Sequence, residues 1–150
     1  MSNHREQIIE AARGKLAENL LGATFAKPRF AGTAMAGGAA GIIGGQMAGR
    51  QVKGAAAADV RLGNPGAVGV TATSLVTMSV GVTMGGQIKE VKEVLSVVPL
   101  ASVDSVQVKR FGLAGVMEIS IGGTAFKLEG KVGDMREFAA SFDRAKATAA

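Results

Sequence analysis

His4 is the single histidine of the chain, and there is no cysteine. A Ser–His–Asp relay needs a histidine base held rigidly in a folded site, and the sequence places His4 where a chain end is expected to fray. Two-histidine and Cys/His metal sites cannot be assembled within one chain of this composition. Carboxylates occur as two close pairs, Glu90/Glu93 and Asp134/Glu137. The first lies in the lysine-rich run KEVKE and reads as a solvated face; the second reads as helix capping. Phosphate chemistry fares no better. GGQMAGRQ (44–51) is the nearest approach to a Walker A loop, but Arg50 stands where the lysine belongs and Gln51 where the hydroxyl belongs. No G-x-G-x-x-G occurs. The expectation is a protein without catalysis, cofactor or metal.

What remains is binding chemistry. Lys27, Arg29, Arg50 and Lys53 bracket a stretch from Phe30 to Gly49 that carries no charge. The chain has 17 basic and 12 acidic residues, a net charge of +5, and the excess lies in the first 65 residues: five basic against three acidic in 1–29, three against one in 30–65, nine against eight in 66–150. Basic residues flanking an uncharged block suit anionic lipid better than nucleic acid. With no Trp or Tyr and six Phe, stacking platforms for bases are scarce. The lack of cysteine fits a reducing cytosol, and MSNHREQIIEAARGKL has no apolar signal region. The expected location is the cytoplasm, at the inner face of the cell membrane.

The elements that would position these residues follow from periodicity. Ile8, Ile9, Ala12, Leu16 and Leu20 predict an amphipathic helix over 4–21, capped by Asn3 with Glu6 three residues on and stopped by Gly22. ATFAK (23–27) reads as a first strand, and DVRLGNPG (59–66) as a turn-rich boundary. From Ala67 the pattern is β: VGVTA (68–72), LVTMSV (75–80), VLSVVPL (94–100), SVQVKR (105–110), VMEISI (116–121) and AFKLE (125–129), with Gly122-Gly123 as a two-residue hairpin turn. Met135, Phe138, Ala139, Phe142 and Ala145 predict a closing helix with Asp134 as its N-cap. Three segments result: an amphipathic helix over 1–22, a first strand with a Gly/Ala-rich helical insertion over 23–65, and a sheet with a C-terminal helix over 66–150. The class is α+β, with one dry sheet face.

That order resembles the PH-like domains found in many bacterial proteins. The likeness rests on VGVTATSLVTM, VLSVVPLASVDSVQVKRFG and ISIGGTAFKLEGKVGDMREFAASF, and covers residues 66–146. It implies a curved antiparallel sheet closed at one end by a C-terminal helix, and makes the Gly-rich block an insertion between strands one and two. In phosphoinositide-binding members, Lys and Arg spaced through the first hairpin hold the headgroup. Here Lys27 and Arg29 precede the block and Arg50 and Lys53 follow it, a different spacing.

Within the block, Gly37, Gly41, Gly45 and Gly49 form an unbroken GxxxGxxxGxxxG. On a helix this puts small residues along one face, where a second helix can approach closely. A straight helix of 20 residues spans about 30 Å, the thickness of a bilayer core. Seven Gly and six Ala make it weakly hydrophobic, however, and one crossing would separate ATFAK from the rest of its sheet. The expected function is a PH-like scaffold that self-associates through the glycine zipper and contacts anionic lipid through Lys27, Arg29, Arg50 and Lys53. The alternative is a soluble adaptor that binds another protein through a sheet edge or the Lys109-Arg110 corner with Phe111. The bland reading of that corner is an exposed turn. Expected partners are thus a second copy of the chain, an anionic membrane lipid or a protein of unknown kind; nucleic acid is disfavoured.

Overall fold

The computed structural model describes residues 4–29, 49–63, 65–112 and 114–149. In chain order these form α1 (His4–Ala12), β1 (Gly22–Phe25), β2 (Lys27–Pro28), α2 (residues 49–57), β3 (Gly66–Val70), β4 (Ser74–Val82), β5 (Ile88–Pro99), a 3-10 turn (Leu100–Ser102), β6 (Val103–Phe111), β7 (Ala114–Ile121), β8 (Thr124–Lys131) and α3 (Val132–Ala149). The class is α+β, as the sequence predicts. Instead of one closed sheet there are two open antiparallel ones, ordered β1-β3-β4-β5 and β2-β8-β7-β6.

The extended segment from Gly22 to Pro28 serves both sheets. Its first half pairs with β3, and its last two residues pair with β8. The change happens at buried Ala26, whose N–H donates to Gly66 O at 3.0 Å. Gly130 makes room for the crossing, since a Cβ there would stand 2.6 Å from Phe25 O. Pro28, which has no N–H to give a ladder, ends an edge strand.

Two apolar clusters result. Between the sheets, Val68, Val70 and Leu75 face Met117, Ile119, Phe126 and Leu128. Met135, Phe138, Phe142 and Ala145 of α3 close this core, so the predicted stripe is the buried one. Ala55 and Val60, at and just beyond the end of α2, belong to the same core. The region predicted as a turn-rich boundary is therefore packed: Thr77 donates its hydroxyl to Arg61 O (2.7 Å), and Arg61 N–H reaches Ser96 Oγ (2.8 Å). The second cluster lies on the other face of the first sheet. There Ala23, Ala67, Val76, Met78, Val80, Ile88 and Val91 pack under Ile8 and Ala12 of α1 and under Leu20. The first sheet is thus dry on both faces rather than one.

Local departures have local causes. The N-terminal helix ends at Ala12 instead of continuing to residue 21, because Gly14 takes a left-handed φ of +81°. Leu16 and Leu20 still reach the second cluster, from irregular chain. The predicted cap, Asn3, lies outside the described residues. Gly22, predicted as the helix stop, opens β1. Asp134 lies inside the first turn of α3, which starts at Val132, and there its charge complements the helix dipole. Gly122 and Gly123 take φ of +57° and +84°, as a primed hairpin turn requires.

Candidate functional site

The outer face of the second sheet is built from alternate residues of four strands. The register puts Ser105, Gln107, Lys109 and Phe111 of β6 beside Ala114, Val116, Glu118 and Ser120 of β7. Those residues in turn sit beside Ala125, Lys127, Glu129 and Lys131 of β8. Lys27 stands opposite Glu129, and Arg29 continues the strand, donating its N–H to Lys127 O at 3.1 Å. The face therefore carries five cations, Lys27, Arg29, Lys109, Lys127 and Lys131, against the two carboxylates Glu118 and Glu129. Among the described residues no carboxylate oxygen lies within 4 Å of the Lys109 or Lys127 ammonium.

A small cavity of about 80 Å³ opens here between Arg29, Gln107, Lys109, Phe111, Val116, Glu118 and Lys127. The Arg29 guanidinium lies over the Phe111 ring, 4.9 Å from its centroid, an electrostatic attraction between a cation and the ring face. Phe111 is nonetheless 53% exposed, while Val116 at the cavity wall is buried. The β6–β7 turn is held by Arg110 Nε donating to Gly112 O at 2.8 Å. The corner is thus the exposed turn that the sequence suggests, and Phe111 presents an apolar surface there beside the Arg29 guanidinium.

Helix α2 supplies the border of this face. Past Pro28 the edge of β8 would show a bare Lys127 N–H, and Gln51 Oε1 accepts it at 2.7 Å. A Cβ on Gly54 would lie 3.2 Å from Ala125 O, so glycine lets the helix settle against that edge. Covering an edge this way removes a template for unwanted strand pairing. Arg50, Val52 and Lys53 remain exposed beside the covered edge.

Of the eight site residues predicted from sequence, Gly37, Gly41 and Gly45 lie outside the described residues. Gly49 is helical, and a Cβ there would meet nothing within 4 Å among the described residues. The closely packed glycine of this helix is Gly54, which the four-residue repeat does not include. Arg29 joins the cavity, whereas Arg50 and Lys53 do not line it and lie exposed on α2. Lys27 points the set two ways, for it also lines a separate cleft of about 240 Å³ with His4, Phe25, Glu129, Gly130, Lys131 and Asp134. Lys109, Lys127 and Phe111 complete the face, but they come from strands far along the chain from Arg29. Alternation marks each as outward-facing, and nothing in the sequence joins them to Arg29.

The remaining chemistry-bearing residues have structural partners. His4 opens α1, its Nε2 donates to Gly86 O at 2.8 Å, and its ring lies 5.4 Å from that of Phe25. Glu137 is 3.4 Å from Arg5 Nε and Glu93 is 3.9 Å from Arg61. No group of three His, Asp or Glu able to hold a metal occurs among the described residues. Among those residues, too, no helix is long and apolar enough to cross a membrane. No family model matches the chain, and no curated protein is significantly similar to it.

Proposed function

We propose that the protein is a non-catalytic, PH-like scaffold that self-associates and works at an anionic membrane surface, on its cytoplasmic side. One observation carries the reading. The two flanks of the uncharged Gly-rich segment are fastened to a single residue: Arg29 N–H to Lys127 O, and Gln51 Oε1 to Lys127 N–H. The segment therefore leaves and returns at one point on the border of the basic sheet face. One straight crossing of about 30 Å has no room between flanks so placed. A segment that dips into a bilayer, or packs on that of a second copy, does. The PH-like part of the reading draws on the strand shared between two antiparallel sheets and on the C-terminal helix that closes their common core.

The cations beside those flanks suit phospholipid headgroups. Each Lys or Arg near an anionic surface contributes about 1 kcal/mol. Reversing Lys109 and Lys127 to Glu should therefore lower partitioning onto phosphatidylserine-containing vesicles by roughly thirtyfold or more. Flotation tests this. The wild type should float with anionic vesicles, stay unbound with purely zwitterionic ones, and release as salt rises. Chromatography tests the self-association, since Gly41→Leu or Gly45→Leu should reduce the oligomer to monomer. A wild type that ignores both kinds of vesicle would overturn the membrane half.

A second reading has its own support. Phe111, half exposed beneath the Arg29 guanidinium, would also serve a soluble adaptor docking an acidic protein. It predicts no flotation, and binding lost with Phe111→Ala while Gly41→Leu leaves it intact.

A further inference from the structure

A separate opening, which shares no lining residue with that face, lies between α3 and the start of β1. Ser141, which is 4% exposed, rests directly on the strand: a Cβ on Gly22 would stand 2.7 Å from Ser141 Cβ. Helix and strand thus touch as closely as side chains allow at that level. One turn further along α3 a cleft of about 330 Å³ opens, lined by Leu21, Ala72, Ser141, Arg144, Ala145 and Thr148. That is the lower end of the size range of small-molecule sites.

Its walls differ in kind. Leu21, Ala72 and Ala145 supply apolar surface. Leu21 is 48% exposed, yet its backbone is fully tied: its N–H donates to Val70 O at 2.7 Å and its carbonyl accepts from Arg5 Nη2 at 3.1 Å. The other wall is polar. Ser141, Arg144 and Thr148 recur at helical spacing along one face of α3. Thr148 is occupied with its own helix, donating to Arg144 O at 3.0 Å. Arg144 donates through Nη2 to the neutral Ser141 Oγ at 3.2 Å, and no carboxylate lies within 4 Å of it among the described residues. One neutral hydroxyl uses little of a guanidinium's five-donor fork.

We infer that this cleft binds an amphipathic anion, an aliphatic carboxylate whose chain lies on Leu21, Ala72 and Ala145 and whose headgroup pairs with Arg144. Charge complementarity selects the class: the apolar wall would accept any alkyl chain, but the rim offers a cation with no carboxylate within 4 Å among the described residues. The site does not depend on the basic sheet face or on membrane attachment.

Titration with decanoate, below its aggregation concentration and followed by amide chemical shifts of the full chain, tests the inference. Shifts should centre on Leu21, Ala72, Arg144 and Ala145. Decanol, which keeps the chain and lacks the charge, should bind at least about tenfold more weakly, as should decanoate to Arg144→Gln; that is the size of one lost charge-assisted hydrogen bond. Arg144 is exposed, so this variant should fold, and a second variant, Leu21→Ser, should weaken decanoate and decanol alike. Lys109→Glu/Lys127→Glu should bind decanoate as the wild type does, which separates this site from the membrane reading. Equal binding of decanol and decanoate, an unaffected Arg144→Gln, or no shifts in the cleft would each overturn the assignment.

Discussion

The two sheets solve the same problem in opposite ways. Both turn one face to a common core, but the first buries its other face under α1, while no described element packs across that of the second. The sequence records the difference in its rhythm. β3 is buried at every position and β4 at six of nine, and accordingly VGVTA and LVTMSV are β-branched runs without a charged residue. In β6, β7 and β8, by contrast, apolar residues alternate with Gln107, Lys109, Glu118, Lys127 and Glu129. Among the described residues no element covers the charged face, and it is there that the cations and Phe111 gather. The dry sheet packs against both apolar clusters; the wet one carries the charge.

The sharpest break of that comparison puts the same charge on both outer faces. Met78 is 0% exposed, on the first sheet under α1, and Met78→Lys buries an ammonium with no counter-ion. It should cost about 4 kcal/mol or more and leave the chain largely unfolded. Ser120→Lys, on the outer face of the second sheet, should stay within roughly 0.5 kcal/mol of wild type. Urea titration of the two variants decides the matter; equal losses would mean that the second face is covered after all.

Removing the cover itself should come next in size. Ile8 is fully buried in the second cluster, and Ile8→Ala should cost about 2–4 kcal/mol. Because α1 has only nine residues, too few to hold a helix in water by itself, the loss should also free it. Hydrogen exchange should then quicken in α1 before it does in β3 and β4. Simultaneous exchange throughout would show that cover and sheet melt as one unit.

The same contrast governs what could be read in advance. Strict alternation makes β6, β7 and β8 legible almost to the residue, and the helical stripe of α3 is equally plain. The first half of β5 is not. IKEVKEV spaces its apolar residues by three, at Ile88, Val91 and Val94, and resembles a solvated surface run. The pairing with β4 shows why: three irregularities each insert an extra β5 residue, so positions three apart come to share one face. A strand of period three defeats a search for period two. The site was half legible for another reason. Basic residues around the Gly-rich segment stand out by composition, whereas the meeting of Arg29 with Phe111 and of Gln51 with Lys127 joins residues 82 and 76 positions apart. Only the crossover of the Gly22–Pro28 segment into the second sheet creates those contacts.

On the wet face, one contact should have a modest effect on stability and a larger one on binding. Phe111→Ala removes the ring beneath Arg29, a cation–π pair worth about 0.5–1 kcal/mol at an exposed site, and should lower the urea midpoint slightly. If the face is a docking surface, capture of its partner should fall further than stability does. A stability loss above 2 kcal/mol would instead make Phe111 a core residue in disguise.

The smallest effect should be a gain, and it concerns the helix that borders the wet sheet. Helix α2 ends with Val60 N–H on Ala55 O at 2.8 Å and Asp59 N–H on Ala56 O at 3.0 Å, the paired bonds of a Schellman motif. That motif needs a left-handed residue at the position of Asp59, whose φ is +60°. Glycine adopts this conformation without the steric penalty that a Cβ brings, about 1 kcal/mol, and loses part of the advantage to its greater freedom when unfolded. Asp59→Gly should therefore stabilise the chain by about 0.5 kcal/mol, and it also removes a negative charge from the unfavourable end of the helix dipole. Since α2 covers an edge of the second sheet and not a face, the gain should appear as slower exchange at Lys127 N–H, with β3 and β4 unchanged below the limit of global unfolding. Slower exchange in the first sheet alone would place the effect of α2 on the wrong side of the core.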